Sequence, residues 1–68
     1  MRNYKVTADL KITDYITREV TRVSLATYVH RGSEESMARE IIEAYIKENK
    51  LKDCRVACTY IKPLVKVF

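Results

Sequence analysis

The sequence predicts a small α+β domain with two layers, an antiparallel β-sheet and one helix packed on one face of that sheet. Three observations predict it. Two consecutive segments alternate apolar and polar residues, a third repeats apolar residues at helical spacing, and a fourth alternates again. The predicted order is β-β-α-β, with a short fourth strand or a β-like tail at the end. A chain of 68 residues has room for one domain, so residues 1–68 are predicted to form a single unit.

The first two strands are predicted from strict alternation. Apolar residues occupy every second position from residue 4 to residue 13, as expected for a strand with one buried face. Leu10 lies at the centre of that row and is predicted to be core. Alternation resumes on a new phase over 22–30, which predicts an antiparallel hairpin. The connection at 14–17 has no glycine, so the turn is located only to within about three residues.

The helix is predicted from its start signal and its periodicity. Ser33 follows Gly32 and can accept a hydrogen bond from an amide of the first helical turn, which also carries two glutamates. Apolar residues then recur at three- and four-residue steps, with Ile41 at the centre of the stripe. We expect the helix to end near Asn49 or Lys50, in a left-handed residue.

The last segment predicts a third strand with its cysteines facing inward. Cys54, Val56, Cys58 and Tyr60 alternate with Arg55, Ala57 and Thr59 and are predicted to share the buried side. Pro63 cannot donate to a ladder, which places it at a sheet edge or a bulge. The favoured strand order is 2-1-3, and parallel pairing of the third strand with the second is the alternative.

Composition argues against catalysis and against bound cofactors. So short a chain has little material for a deep substrate pocket, and a single glycine excludes both a P-loop and a dinucleotide fingerprint. Two cysteines in C-x-x-x-C spacing and the lone His30 are too few for a zinc site. In one strand, Cys54 and Cys58 would lie about 13 Å apart, too far for a disulfide. We predict a non-enzymatic protein without metal or cofactor.

Charge distribution predicts one candidate site. The net charge of +4 is carried by the strand segments, at +3 for residues 1–32 and +3 for 54–68, whereas 33–53 carry −2. A basic outward sheet face would suit single-stranded nucleic acid, although Tyr28 is the only aromatic ring predicted there. The simpler alternative is a polar face that keeps the sheet soluble. The predicted nucleic-acid-binding residues are Lys5, Lys11, Arg22, Tyr28 and Arg55, with His30, Thr7, Thr13, Ser24 and Thr59 interleaved.

The second candidate site is a sheet edge together with the apolar end of the sequence. An unpaired strand can accept a partner strand or a second copy of itself. The residues predicted to form this interaction edge are Leu64, Val65, Val67 and Phe68. Packing of the same residues on the domain's own core is the alternative.

The leading functional prediction is therefore a protein-interaction module, either a homodimer or a partner of another protein. Nucleic-acid binding through the basic face is the alternative. Rising salt should weaken binding to nucleic acid steeply and leave an apolar edge contact almost unchanged.

The length of the chain and the order of its predicted elements resemble those of a known class of small proteins. A Thr-rich hairpin, a Ser33-Glu34-Glu35 helix start and a final strand resemble the small uncharacterised proteins that phages and other mobile elements encode. The resemblance implies an accessory or host-interaction role and transfers no site. No membrane helix or secretory signal is predicted, so we expect a cytoplasmic location, in the host if the chain is phage-encoded.

Overall fold

The computed structural model describes residues 4–64 and confirms the predicted α+β class. Three antiparallel strands form one sheet, and one helix packs on one of its faces. The elements in chain order are β1 (Tyr4–Asp14), β2 (Val20–Val29), α1 (Glu34–Asn49) and β3 (Cys54–Pro63).

The strand order is β2-β1-β3, which confirms the order favoured from the sequence. β1 pairs with β2 across the hairpin and with β3 along its other side. The central position of β1 explains its regular alternation, because a strand flanked on both sides buries its apolar row most completely. Val6, Ala8 and Leu10 are at most 1% exposed.

The core lies between β1 and the apolar stripe of α1. Met37 and Ile41 are the buried helix residues, and they pack in one cluster with the apolar row of the sheet. Leu10 and Ile41, predicted to be central, are 1% and 3% exposed, so both predictions are confirmed. The buried cluster consists of Val6, Ala8, Leu10, Val29, Met37, Ile41 and Val56.

Both ends of α1 follow the local signals in the sequence. The Ser33 hydroxyl accepts a hydrogen bond from the Ser36 amide at 3.1 Å, as an N-cap residue does. Lys50 adopts the left-handed conformation at φ 50°, and the Leu51 amide donates to the Ile46 carbonyl at 3.1 Å. Among residues 4–64, no helix combines the length and apolar character that a membrane crossing requires.

The hairpin turn is organised by a carboxylate instead of a glycine. Asp14 Oδ1 accepts hydrogen bonds from the amides of Ile16 at 2.8 Å and Thr17 at 3.0 Å. These bonds favour the charged form and lower the pKa of Asp14 below its ordinary value. Arg18 takes the left-handed conformation, at φ 64°, that glycine usually supplies in a hairpin.

A β-bulge in β3 corrects one sequence prediction. Leu10 lies opposite Cys58, but Asp9 lies opposite Tyr60, so Thr59 is an extra residue on β3. The inserted residue reverses the inward and outward phase beyond it. Cys54 and Cys58 contact the core as predicted, whereas the inward prediction for Tyr60 is wrong, and its side chain is 52% exposed.

The end of β3 lies at the edge of the sheet. Pro63 is the last residue of this edge strand, as predicted from its missing amide. The Leu64 amide still donates to the Lys5 carbonyl at 2.9 Å, and its side chain is 43% exposed. Val65, Val67 and Phe68, which complete the predicted interaction edge, lie outside the described residues, as does the predicted fourth strand.

Candidate site on the open face of the sheet

The open face of the sheet is the side turned away from α1, and we call it the outer face. Strand register defines it, because residues directly opposite each other point to the same side. Odd-numbered residues of β1 are on this side, since the even-numbered ones form the core. The outer face consists of Lys5, Thr7, Asp9, Lys11, Thr13, Val20, Arg22, Ser24, Ala26, Tyr28, Arg55, Ala57, Tyr60 and Lys62.

The outer face is strongly basic. It carries five cationic side chains and one acidic side chain, a net charge of +4. None of the five cations forms an ion pair with any residue of the described chain. Asp9, the single acid, accepts a hydrogen bond from the Ser24 hydroxyl at 2.7 Å. The positive charge is therefore directed to solvent.

Two tyrosine rings lie among these cations. Tyr28 is 49% exposed, and the Lys5 ammonium lies 5.5 Å from the centroid of its ring. Tyr60 is 52% exposed and lies on the far strand of the sheet. The two residues are offset by four positions along β1 and by two strand spacings, so their backbones are roughly 17 Å apart. The outer face thus offers two separate aromatic surfaces.

Side-chain bonds to neighbouring strands tie the outer face together. The Thr7 hydroxyl donates to the Lys62 carbonyl, and the Thr59 hydroxyl donates to the Asp9 carbonyl, both at 3.3 Å. The second bond lies at the bulge, where the ladder is irregular. Both bonds join β3 to β1 on either side of Tyr60.

The structure brings all five predicted nucleic-acid-binding residues onto the outer face. His30 does not join them, which corrects its predicted outward placement. It follows the end of β2, and both its amide and its Nδ1 lie 3.1 Å from Glu40 Oε1, so it links β2 to α1. Tyr60 and Lys62 belong to the face but were missed, because the bulge that turns them outward leaves no glycine or other local signal in the sequence.

The layer formed by α1 has the opposite charge. The helix carries five acidic and two basic side chains, a net charge of −3. Arg39 and Glu35, one turn apart, approach to 3.7 Å, as opposite charges at positions i and i+4 of a helix do. A polyanion therefore meets an attractive field on one side of the domain and a repulsive field on the other.

The cysteines lie on β3 against the core, and the environment of Cys58 affects its acidity. Burial is the main cause that raises the pKa of the Cys58 thiol, and the nearby Asp9 and Glu34 charges act in the same direction. Cys58 is therefore a neutral thiol near pH 7, and its Sγ donates to the Tyr60 carbonyl at 3.3 Å. Within residues 4–64, no three metal-ligating side chains come together.

Comparisons with protein-family models, with curated proteins and with solved structures give no match for this chain. The resemblance to phage-encoded proteins stays a prediction. The structure defines a small two-layer α+β domain with one open sheet face.

Proposed function

We propose that the protein binds single-stranded nucleic acid on the outer face of its sheet. The observation that carries the proposal is the presence of two exposed tyrosine rings on one sheet face among five cations that form no ion pair within residues 4–64. The interaction edge predicted from the sequence has only Leu64 among the described residues, so interaction through the C-terminal segment stays a prediction.

Electrostatic complementarity supports a polyanionic ligand. Side chains such as Lys11 and Arg22, which lie directly opposite each other, present neighbouring positive charges that nothing in the described chain neutralises. Phosphates replace the counterions that such a surface would otherwise hold, and the released counterions favour binding at low salt. The acidic layer on α1 restricts the polyanion to the outer face.

The aromatic rings favour single strands over duplexes. A base can stack on an exposed tyrosine only when it is unpaired, and such stacking tolerates any sequence. Tyr28 and Tyr60 lie on opposite edge strands, so a bound strand would cross the sheet and contact both rings. Lys5, Lys11 and Lys62 lie between and beside them, where the connecting phosphates would pass.

Fluorescence anisotropy with a labelled oligothymidylate of about 12 nucleotides tests the proposal. Each cation that neutralises a phosphate adds about −0.7 to the slope of log K against log salt. With all five engaged, affinity should fall about 100-fold between 50 and 200 mM salt. A duplex of the same length should bind more weakly, because its bases cannot stack on the tyrosines.

Lys11→Gln and Lys47→Gln form a matched pair for this experiment. Lys11 is on the outer face and Lys47 is exposed on α1, so the same charge is removed from opposite sides of the domain. We expect Lys11→Gln to reduce the salt slope by about 0.7 and Lys47→Gln to leave it unchanged. Equal effects of the two substitutions, or an affinity that does not respond to salt, would contradict the proposal. Capture of a protein without nucleic acid would favour the interaction-module alternative.

A further inference from the structure

The two edges of the sheet differ in how they are protected. β3 carries a bulge at Thr59, charged side chains at Arg55 and Lys62, and Pro63 at its end, all devices that discourage pairing with another strand. β2 runs for ten residues with no proline and no bulge, and Arg22 is its only charged residue. The β2 edge is therefore the one open to pairing.

Hydrogen-bond alternation shows which groups β2 leaves free. The Asp14 amide donates to the Glu19 carbonyl, so these residues form a hydrogen-bonded pair next to the turn. Pairs then alternate along the hairpin, and odd-numbered residues of β2 bond to β1. The backbone groups directed to the open edge belong to Val20, Arg22, Ser24, Ala26 and Tyr28. No residue of the described chain bonds to these backbone groups.

A groove lies beside this edge on the helix side of the sheet, and within residues 4–64 it is open to solvent. It runs between α1 and β2, and its apolar lining includes Leu25, Ile41, Ala44 and Tyr45. Leu25 and Tyr45 are only half-buried. The edge thus combines free backbone groups with apolar side chains that gain from further burial.

We propose that β2 pairs with β2 of a second copy of the chain, antiparallel about a two-fold axis, to form a homodimer. Self-pairing is favoured because the edge is self-complementary. The even-numbered residues of one copy can bond to the even-numbered residues of the other, as an antiparallel ladder requires. Arg22 is the only charged residue of β2, so few like charges meet along the paired strands themselves.

One register of the β2–β2 pairing gives favourable side-chain contacts on both sides of the sheet. With Leu25 opposite Leu25 of the second copy, the two grooves meet and bury apolar side chains against each other. Arg22 then lies opposite Tyr28 of the second copy, a cation beside an aromatic ring. The result is a continuous six-stranded sheet with both helices on one side and both outer faces on the other. The dimer does not depend on nucleic-acid binding, although it would double the length of the basic surface.

Sedimentation and amide hydrogen exchange on the unaltered chain test the dimer. Between about 10 μM and 1 mM we expect the mass to rise from one copy to two. Over the same range, exchange at the amides of Arg22, Ser24, Ala26 and Tyr28 should slow about fourfold, in proportion to the falling fraction of monomer. Val56 provides an internal control, because its amide faces the open edge of β3 and should exchange at the same rate throughout. A monomer at 1 mM would overturn the proposal, as would a dimer in which these β2 amides stay unprotected.

Ala26→Pro and Ala26→Thr form a matched pair of variants. Proline removes the edge amide without breaking a bond to β1, whereas threonine keeps the amide and suits a strand. We expect Ala26→Pro to weaken dimerisation at least about tenfold and Ala26→Thr to leave it within about twofold. Equal dimerisation constants for the two variants would contradict pairing through β2. If Ala26→Pro does not fold, the exchange pattern of the unaltered chain decides.

Discussion

The two solvent-facing sides of the domain differ in charge and in surface character. The outer face carries a net charge of +4 and two exposed tyrosines, whereas α1 carries −3 and presents alternating charges. Solubility requires charged side chains on a surface, but it does not require positive and negative charges to lie on different sides of the domain. The exposed side of α1 carries both signs of charge. The comparison shows that the chain separates its charges between the two sides, which is the distribution that the proposed binding of a polyanion requires.

The largest expected effect comes from the core that joins the two sides. Leu10 on β1 and Ile41 on α1 both pack in this core and are almost fully buried. Leu10→Ala or Ile41→Ala should each lower the free energy of unfolding by about 2–5 kcal/mol, because each leaves a cavity. Denaturant titration measures the loss. A change below about 0.5 kcal/mol would show that the two layers do not pack as described.

The next largest effect separates the tyrosines of the outer face from tyrosines elsewhere. Tyr60→Ala should weaken oligothymidylate binding by about 1–3 kcal/mol, roughly 5- to 150-fold, because one base loses its stacking partner. Tyr15 is the matched control, since it is 60% exposed but lies in the hairpin turn. Tyr15→Ala should leave affinity unchanged. Similar losses for the two variants would remove the special role of the outer face.

A smaller effect concerns the hairpin turn, which lies beyond both faces. The pKa of Asp14 is lower in the folded chain than its ordinary value of 3.8, because two amides donate to the carboxylate. Its contribution to stability is therefore complete above pH 3.8 and is lost as the pH falls through the lower folded value. Asp14→Asn should remove part of this pH dependence, as thermal unfolding between about pH 2 and 6 would show. Identical pH profiles for the two proteins would contradict the assigned bonds.

Most of the fold could be predicted because its signals are local. Ser33 marks the helix start through its own hydroxyl, and the row centred on Leu10 marks β1 through its period of two. Tyr60 could not be placed in this way. Its orientation depends on an extra residue, Thr59, that appears only when β3 is set against β1.

The candidate site was predicted in part for the same reason. Lys5, Lys11, Arg22, Tyr28 and Arg55 precede the bulge or lie on strands without one, so simple alternation placed them correctly. His30 was misplaced because alternation was carried past the end of β2, where the backbone turns toward α1 and the ring contacts Glu40. Contacts between distant elements, which alternation does not encode, decide both cases.

The central claim is that single-stranded nucleic acid lies on the outer face, and chemical-shift mapping tests it most directly. Titration of the ¹⁵N-labelled chain with oligothymidylate should shift the amides of Lys5, Arg22, Tyr28, Tyr60 and Lys62, which span all three strands. The exposed helix residues Arg39, Glu43 and Lys47 should not shift. Shifts confined to α1, or no shifts at low salt, would contradict the claim.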